Sequence, residues 1–150
     1  MRPLGRFMNY DETFEASYKR ILTKRNNEDF VEYFYKILVG RNDTIKKIFA
    51  NIDLERQRRM VKKSIFYIYN CYRDKYINDD LEKIAVLHNK HNLNIPTHLY
   101  DVWLDCLLES VEKFDPEYND EIEVAWRMIM SVGISYMKFQ YDKAADRVYS

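Results

Sequence analysis

Apolar residues return at helical spacing along almost the whole chain, and no stretch alternates as a strand does. A first helix over about 10–24 places Phe14, Tyr18, Ile21 and Leu22 on one face. A second, about 28–39, carries Val31, Phe34, Tyr35 and Leu38 and is expected to end at Gly40, followed by a short turn of helix from Asp43, read as its N-cap, to Phe49. A long central helix from near Asp53 to about Lys75 has the inner stripe Leu54, Gln57, Val61, Ser64, Ile65, Ile68 and Tyr72. In a shorter helix, about 79–90, Leu81, Ile84, Ala85 and His88 stand at i, i+3, i+4 and i+7. Pro96 suits the first turn of a helix carrying Tyr100, Trp103, Leu104, Leu107, Leu108 and Val111, which Asp115 and Pro116 close. The last helix, about 117–143, lines up Ile122, Trp126, Ile129, Gly133 and Met137.

Six to eight helices of unequal length, without a heptad register, predict an irregular all-α bundle rather than an up-and-down four-helix one. No repeat, low-complexity tract or linker divides the chain, so its 150 residues read as one domain, with residues 1–9 as an N-terminal extension and 144–150 as a tail.

Composition narrows the partners. Lys plus Arg and Asp plus Glu number 24 each, and this balance gives no electrostatic reason to expect nucleic acid or an anionic membrane. The runs Arg56-Gln57-Arg58-Arg59 and Lys62-Lys63 read as a solvated helix face. Cys71 and Cys106 lie on separate apolar segments without metal-ligand spacing, and are expected to be reduced, buried thiols. No signal-peptide run opens the chain, and no stretch approaches roughly 18 apolar residues, so a soluble, cytoplasmic protein is expected. The aromatic share is 15%, with thirteen tyrosines and eight phenylalanines, which is more than core filling requires.

Three polar residues interrupt inward faces: Tyr35, Gln57 and His88. Each has an ordinary explanation when taken alone. A buried tyrosine sets its hydroxyl on a carbonyl, an inward glutamine bridges a backbone group, and a lone histidine is hydrogen-bonded in the core.

Their order and spacing carry more. Phe34-Tyr35 is followed by Phe49, Arg56-Gln57-Arg58 opens the central helix with Val61 one turn on, and Ile84-Ala85-Val86-Leu87-His88 precedes a polar loop. Ile95-Pro96 through Tyr100 to Leu107-Leu108, with Ala125-Trp126, follows. In these four stretches, spread over about 10–143, the chain resembles the globin family, most of all bacterial single-domain globins and the haem domains of flavohaemoglobins. The resemblance implies a globin fold around haem b. His88 is then the axial ligand, with His91 the rival one turn later. Phe49, Val61, Val102, Leu107 and Ile129 are the apolar walls, and Tyr35 with Gln57 stands on the side where gas binds.

Oxygen bound to ferrous haem acquires partial negative charge, and a phenol and an amide can each donate a hydrogen bond to it. Two donors, each contributing on the order of 1–3 kcal/mol in a dry pocket, would slow oxygen release by roughly one to three orders of magnitude. Slow release suits a scavenger, a sensor or an oxygen-chemistry enzyme better than a carrier. The likeness to flavohaemoglobins also implies nitric oxide dioxygenation. Glycines stand only at 5, 40 and 133, so there is no dinucleotide fingerprint, and turnover would need a separate reductase. The family's proximal carboxylate has no clear match; Tyr136 and Tyr141 lie in that neighbourhood. The alternatives are a gas sensor that signals through a partner protein and a haem-free helical interaction module. Both monomer and homodimer remain open.

Overall fold

The computed structural model describes residues 9–22 and 27–143, and the extension, the tail and the expected end of the first helix at about 24 fall largely or wholly outside them. Among the described residues the chain forms seven helices: α1 (Tyr10–Leu22), α2 (Asn27–Arg41), α3 (Asp43–Phe49), α4 (Leu54–Asp74), α5 (Asp79–His88), α6 (His98–Phe114) and α7 (Asp120–Tyr141). There is no strand among them.

Helix ends are set by short polar side chains. Asn42, Asp53, Asn78 and Asn119 each accept from backbone N–H groups of the first turn that follows, leaving fewer orphan donors at four N-termini. The cap of α3 is therefore Asn42 rather than Asp43, because its extended backbone aims Oδ1 at the Ile45 N–H, 2.8 Å away. Gly40 does not end α2, which runs on to Arg41; no left-handed residue is needed there, and a Cβ at Gly40 would meet open space. Pro96 stands upstream of α6, where its carbonyl accepts from Leu99 at 3.0 Å. The last helix starts at Asp120 instead of about 117, since Asp115 and Asn119 hold the intervening turn.

α7 is the central element, packed against α1, α4, α5 and α6, while α2 packs on α3, α4 and α6. Its inner face, Ile122, Trp126, Ile129, Gly133 and Met137, is buried as the spacing predicts. Gly133 lets α4 approach closely: a Cβ there would lie 2.5 Å from Ile68 side-chain carbons. On α4 the stripe buries Val61, Ile65 and Ile68, but Leu54 at its first residue is 39% exposed, beyond the reach of neighbouring helices. Phe14, Trp126, Phe30 and Phe34 fill the centre, each contributing about 1.5–3 kcal/mol by leaving water. Cys71 and Cys106 are buried and unpaired, 2% and 0% exposed. No helix among the described residues is long and apolar enough to cross a membrane.

Candidate functional site

α4 and α5 are joined by four residues, 75–78, with Lys75 left-handed at φ 61°, and pack as a helical hairpin. Gln57 and His88 therefore both stand at the ends remote from the turn.

His88 is the last residue of α5, whose buried face is Leu81, Ala85 and Val86. The ring is half-buried, with Nδ1 2.7 Å from the Ile84 carbonyl. A carbonyl only accepts, so the proton sits on Nδ1 and Nε2 keeps its lone pair. Nε2 makes no hydrogen bond among the described residues. Burial pushes the imidazole pKa down, against the Ile84 carbonyl, which raises it, and the ring is held neutral. His91 differs: it is exposed, and it is its backbone N–H that is engaged, by Asn89 Oδ1 at 2.9 Å.

The loop behind His88 is firmly tied. Leu93 and Ile95 N–H groups reach the Leu87 and His88 carbonyls at 3.0 and 3.1 Å, and Lys90 N–H reaches the Tyr141 carbonyl at 3.1 Å. The Tyr141 hydroxyl donates to Asn94 Oδ1 at 2.6 Å, and the Tyr136 hydroxyl accepts from Gln140 at 2.9 Å. Neither tyrosine bonds the His88 ring, whose Nδ1 partner is a main-chain carbonyl in place of a carboxylate.

On α2, Tyr35 is 6% exposed, edge-on to Phe34 and Phe49 with ring centroids 5.1 and 5.7 Å away. Its hydroxyl donates to the Gln57 main-chain carbonyl at 2.9 Å, and burial raises its pKa well above the phenol range. The sequence expectation gave both Tyr35 and Gln57 donor roles; here the single Tyr35 proton is committed to the first turn of α4. The Gln57 side chain is half-buried, and its amide makes no hydrogen bond among the described residues.

Of the expected walls, Val61 is 4% exposed, and Phe49 and Val102 are half-buried at the edge of the core. Leu107 and Ile129, both 0% exposed, are fully enclosed in the central core. An open cleft of about 830 Å³ lies at the opposite end of α4, lined by Tyr10, Asp11, Tyr72 and Val132, and includes none of the expected site residues. Among the charged run on α4, Lys62 pairs with Glu28 at 2.7 Å and Arg59 lies 4.0 Å from Glu55, whereas Arg58 departs from the expected solvated face, its Nε buried without a hydrogen-bond partner. The donor set suits haem: one neutral imidazole with a free lone pair, aromatic and aliphatic side chains nearby, and one unengaged amide.

Sequence reading missed a second polar cluster. Asp115 accepts from Ser17 Oγ at 2.6 Å, from Arg20 Nε and Nη2 at 2.7 and 2.9 Å, and from the Glu117 N–H at 2.9 Å. Trp126 Nε1 donates to Ser17 Oγ at 2.9 Å. The signal was present in Ser17, a hydroxyl on the stripe between Phe14 and Ile21, whereas Asp115 beside Pro116 reads only as a helix stop.

Seven helices wrapped on a central last helix, with α4 and α5 as a hairpin bearing inward polar groups, define a globin architecture. No family model and no curated protein matches the chain. It is similar to the crystal structure of a protein from Pseudomonas aeruginosa PAO1 described as structurally highly homologous to a human haemoglobin. The two are 27% identical with a TM-score of 0.82, over 90% of this chain and 100% of that one. The likeness shows a globin fold for this chain and supports a globin assignment.

Proposed function

We propose that this chain is a haem-binding globin that takes up a diatomic gas reversibly, with His88 as the axial ligand of a non-covalently held haem b. The observation that carries the reading is the free Nε2 lone pair of a half-buried, neutral imidazole fixed through Nδ1 to the Ile84 carbonyl. Bound ferrous haem would supply an iron able to take up oxygen, nitric oxide or carbon monoxide. In this reading Phe49, Val61 and Val102 exclude water from the ligand side. The Gln57 amide is the free donor toward a ligand carrying negative charge. Tyr35 orients the first turn of α4 through the Gln57 carbonyl. Oxygen scavenging, or nitric oxide dioxygenation served by a separate reductase, is the activity this arrangement suits.

The test is haemin titration of the purified chain with visible spectra in ferric, ferrous and carbonmonoxy states. Wild type and His91→Ala take up one equivalent and give a histidine-ligated carbonmonoxy spectrum, and His88→Ala loses it. Retention in His88→Ala with loss in His91→Ala would transfer the ligand role to His91.

A further inference from the structure

The open cleft of about 830 Å³ at the far end of α4 gathers side chains from three helices and shares none with the haem-binding reading. Tyr10 and Asp11 come from the start of α1, Tyr72 from the last turns of α4, Lys75 and Tyr76 from the turn after it, and Val132 from α7. Asp11 Oδ1 is enclosed and has no hydrogen-bond partner. A dry carboxylate oxygen without a donor is costly, so the fold leaves there a charge that a bound cation can satisfy. Burial, then Asp11, then Tyr10 hold the Tyr72 phenol above its ordinary pKa, which sets the carboxylate beside protonated rings. Ring faces carry negative potential, and together with a carboxylate they favour an ammonium. A metal ion is the poorer match, because no group of three or more His, Cys, Asp or Glu side chains is placed to hold one among the described residues. Two cations also line the cleft, and they differ. Arg73 is committed: Nη2 donates to Asn70 at 3.0 Å, Nε lies 3.4 Å from Asp74, and the guanidinium sits over the Tyr69 ring. Lys75 is exposed and makes no ion pair among the described residues. Ile77 and Val132, both half-buried, add aliphatic surface to that of the tyrosines.

We propose that this cleft binds a small zwitterion of the amino-acid class with an aromatic body. Its ammonium donates to Asp11, its carboxylate meets Lys75, and its ring packs on the tyrosines and Val132. L-Phenylalanine is the probe, with 3-phenylpropionate lacking the ammonium and phenethylamine lacking the carboxylate. Titration of the purified chain, followed by amide chemical shifts in NMR, should show saturation at Tyr72, Tyr76 and Val132 with L-phenylalanine. 3-Phenylpropionate should bind about tenfold more weakly, because the bond to Asp11 is charge-assisted. Phenethylamine should lose about two- to fivefold, since Lys75 is open to solvent. Asp11→Asn should weaken L-phenylalanine about tenfold and leave 3-phenylpropionate within about twofold of wild type. Lys75→Gln should bring L-phenylalanine down to the level of phenethylamine, with phenethylamine itself within about twofold of wild type. The three probes are also compared on the wild-type chain, so a variant that fails to fold does not hide the answer. No saturable shift at these residues with millimolar L-phenylalanine, equal binding of 3-phenylpropionate, or an Asp11→Asn chain that binds both as wild type does overturns the proposal. Phenethylamine binding more tightly than L-phenylalanine overturns it as well, since Lys75 then repels instead of pairing. None of these outcomes touches the haem-binding reading, which stands or falls on His88.

Discussion

The polar cluster at Asp115 and the polar edge at Tyr35, Gln57 and His88 are both built from side chains on inward helix faces, but their hydrogen-bond accounts close differently. At Asp115 both carboxylate oxygens are engaged, Ser17 both donates and accepts, and the Trp126 N–H is used. Those bonds join α1, the α6–α7 turn and α7. At the other edge His88 Nε2 and the Gln57 amide are left with capacity, and only Tyr35 is fully committed through its proton. A closed account in the interior is scaffold, because breaking any member strands a buried partner. An account left open at a half-buried surface is what a ligand can complete.

The sharpest way to break this contrast is to truncate Asp115. Asp115→Ala leaves the Arg20 guanidinium, 17% exposed, without its buried partner, and should cost about 3–5 kcal/mol in denaturant unfolding. A loss below about 1 kcal/mol would show the cluster to be dispensable to the scaffold. Ser17→Ala removes the bridge between Asp115 and Trp126 and should cost about 1–3 kcal/mol. By contrast, His88→Leu in the haem-free chain should change stability by under about 1 kcal/mol near pH 7, since only the Ile84 bond is lost while apolar surface is gained.

Acid titration of the haem-free chain separates the two regions further. Burial raises the Asp115 carboxyl, but Arg20, Ser17 and the Glu117 N–H together outweigh it, and the net pKa is below the ordinary value. A depressed carboxyl stabilises the fold above the unfolded pKa and loses that contribution as pH falls, here below about pH 4. His88 is also depressed, by burial, so the unfolded chain binds its proton first and stability falls as pH drops below about 6.5. His88→Leu should therefore flatten the part of the profile that begins below about pH 6.5, and Asp115→Asn the part that begins below about pH 4. The histidine effect is the smaller, because the ring is only half-buried. Interchange of the two windows would sink the assignment.

Helix number and the buried stripes of α4 and α7 follow from local rules: apolar period and the scarcity of glycine and proline. So did the inward positions of Tyr35, Gln57 and His88, because a polar residue at a stripe position is visible without coordinates. Leu54 kept the period yet lies exposed, since periodicity gives a direction and not the extent of the neighbouring helix. Val102, Leu107 and Ile129 are all walls that the resemblance implies, yet only Val102 lies at the edge, with the other two fully enclosed.

The sequence alone determined which residues face inward, because helical geometry makes facing a local property. Only the tertiary structure decided where their protons go. The Tyr35 hydroxyl reaches a carbonyl 22 positions away, and Ser17 reaches a carboxylate 98 positions away. Such bonds depend on how helices cross, and the crossing is set by packing such as the Gly133 approach to Ile68 rather than by residues near the bond.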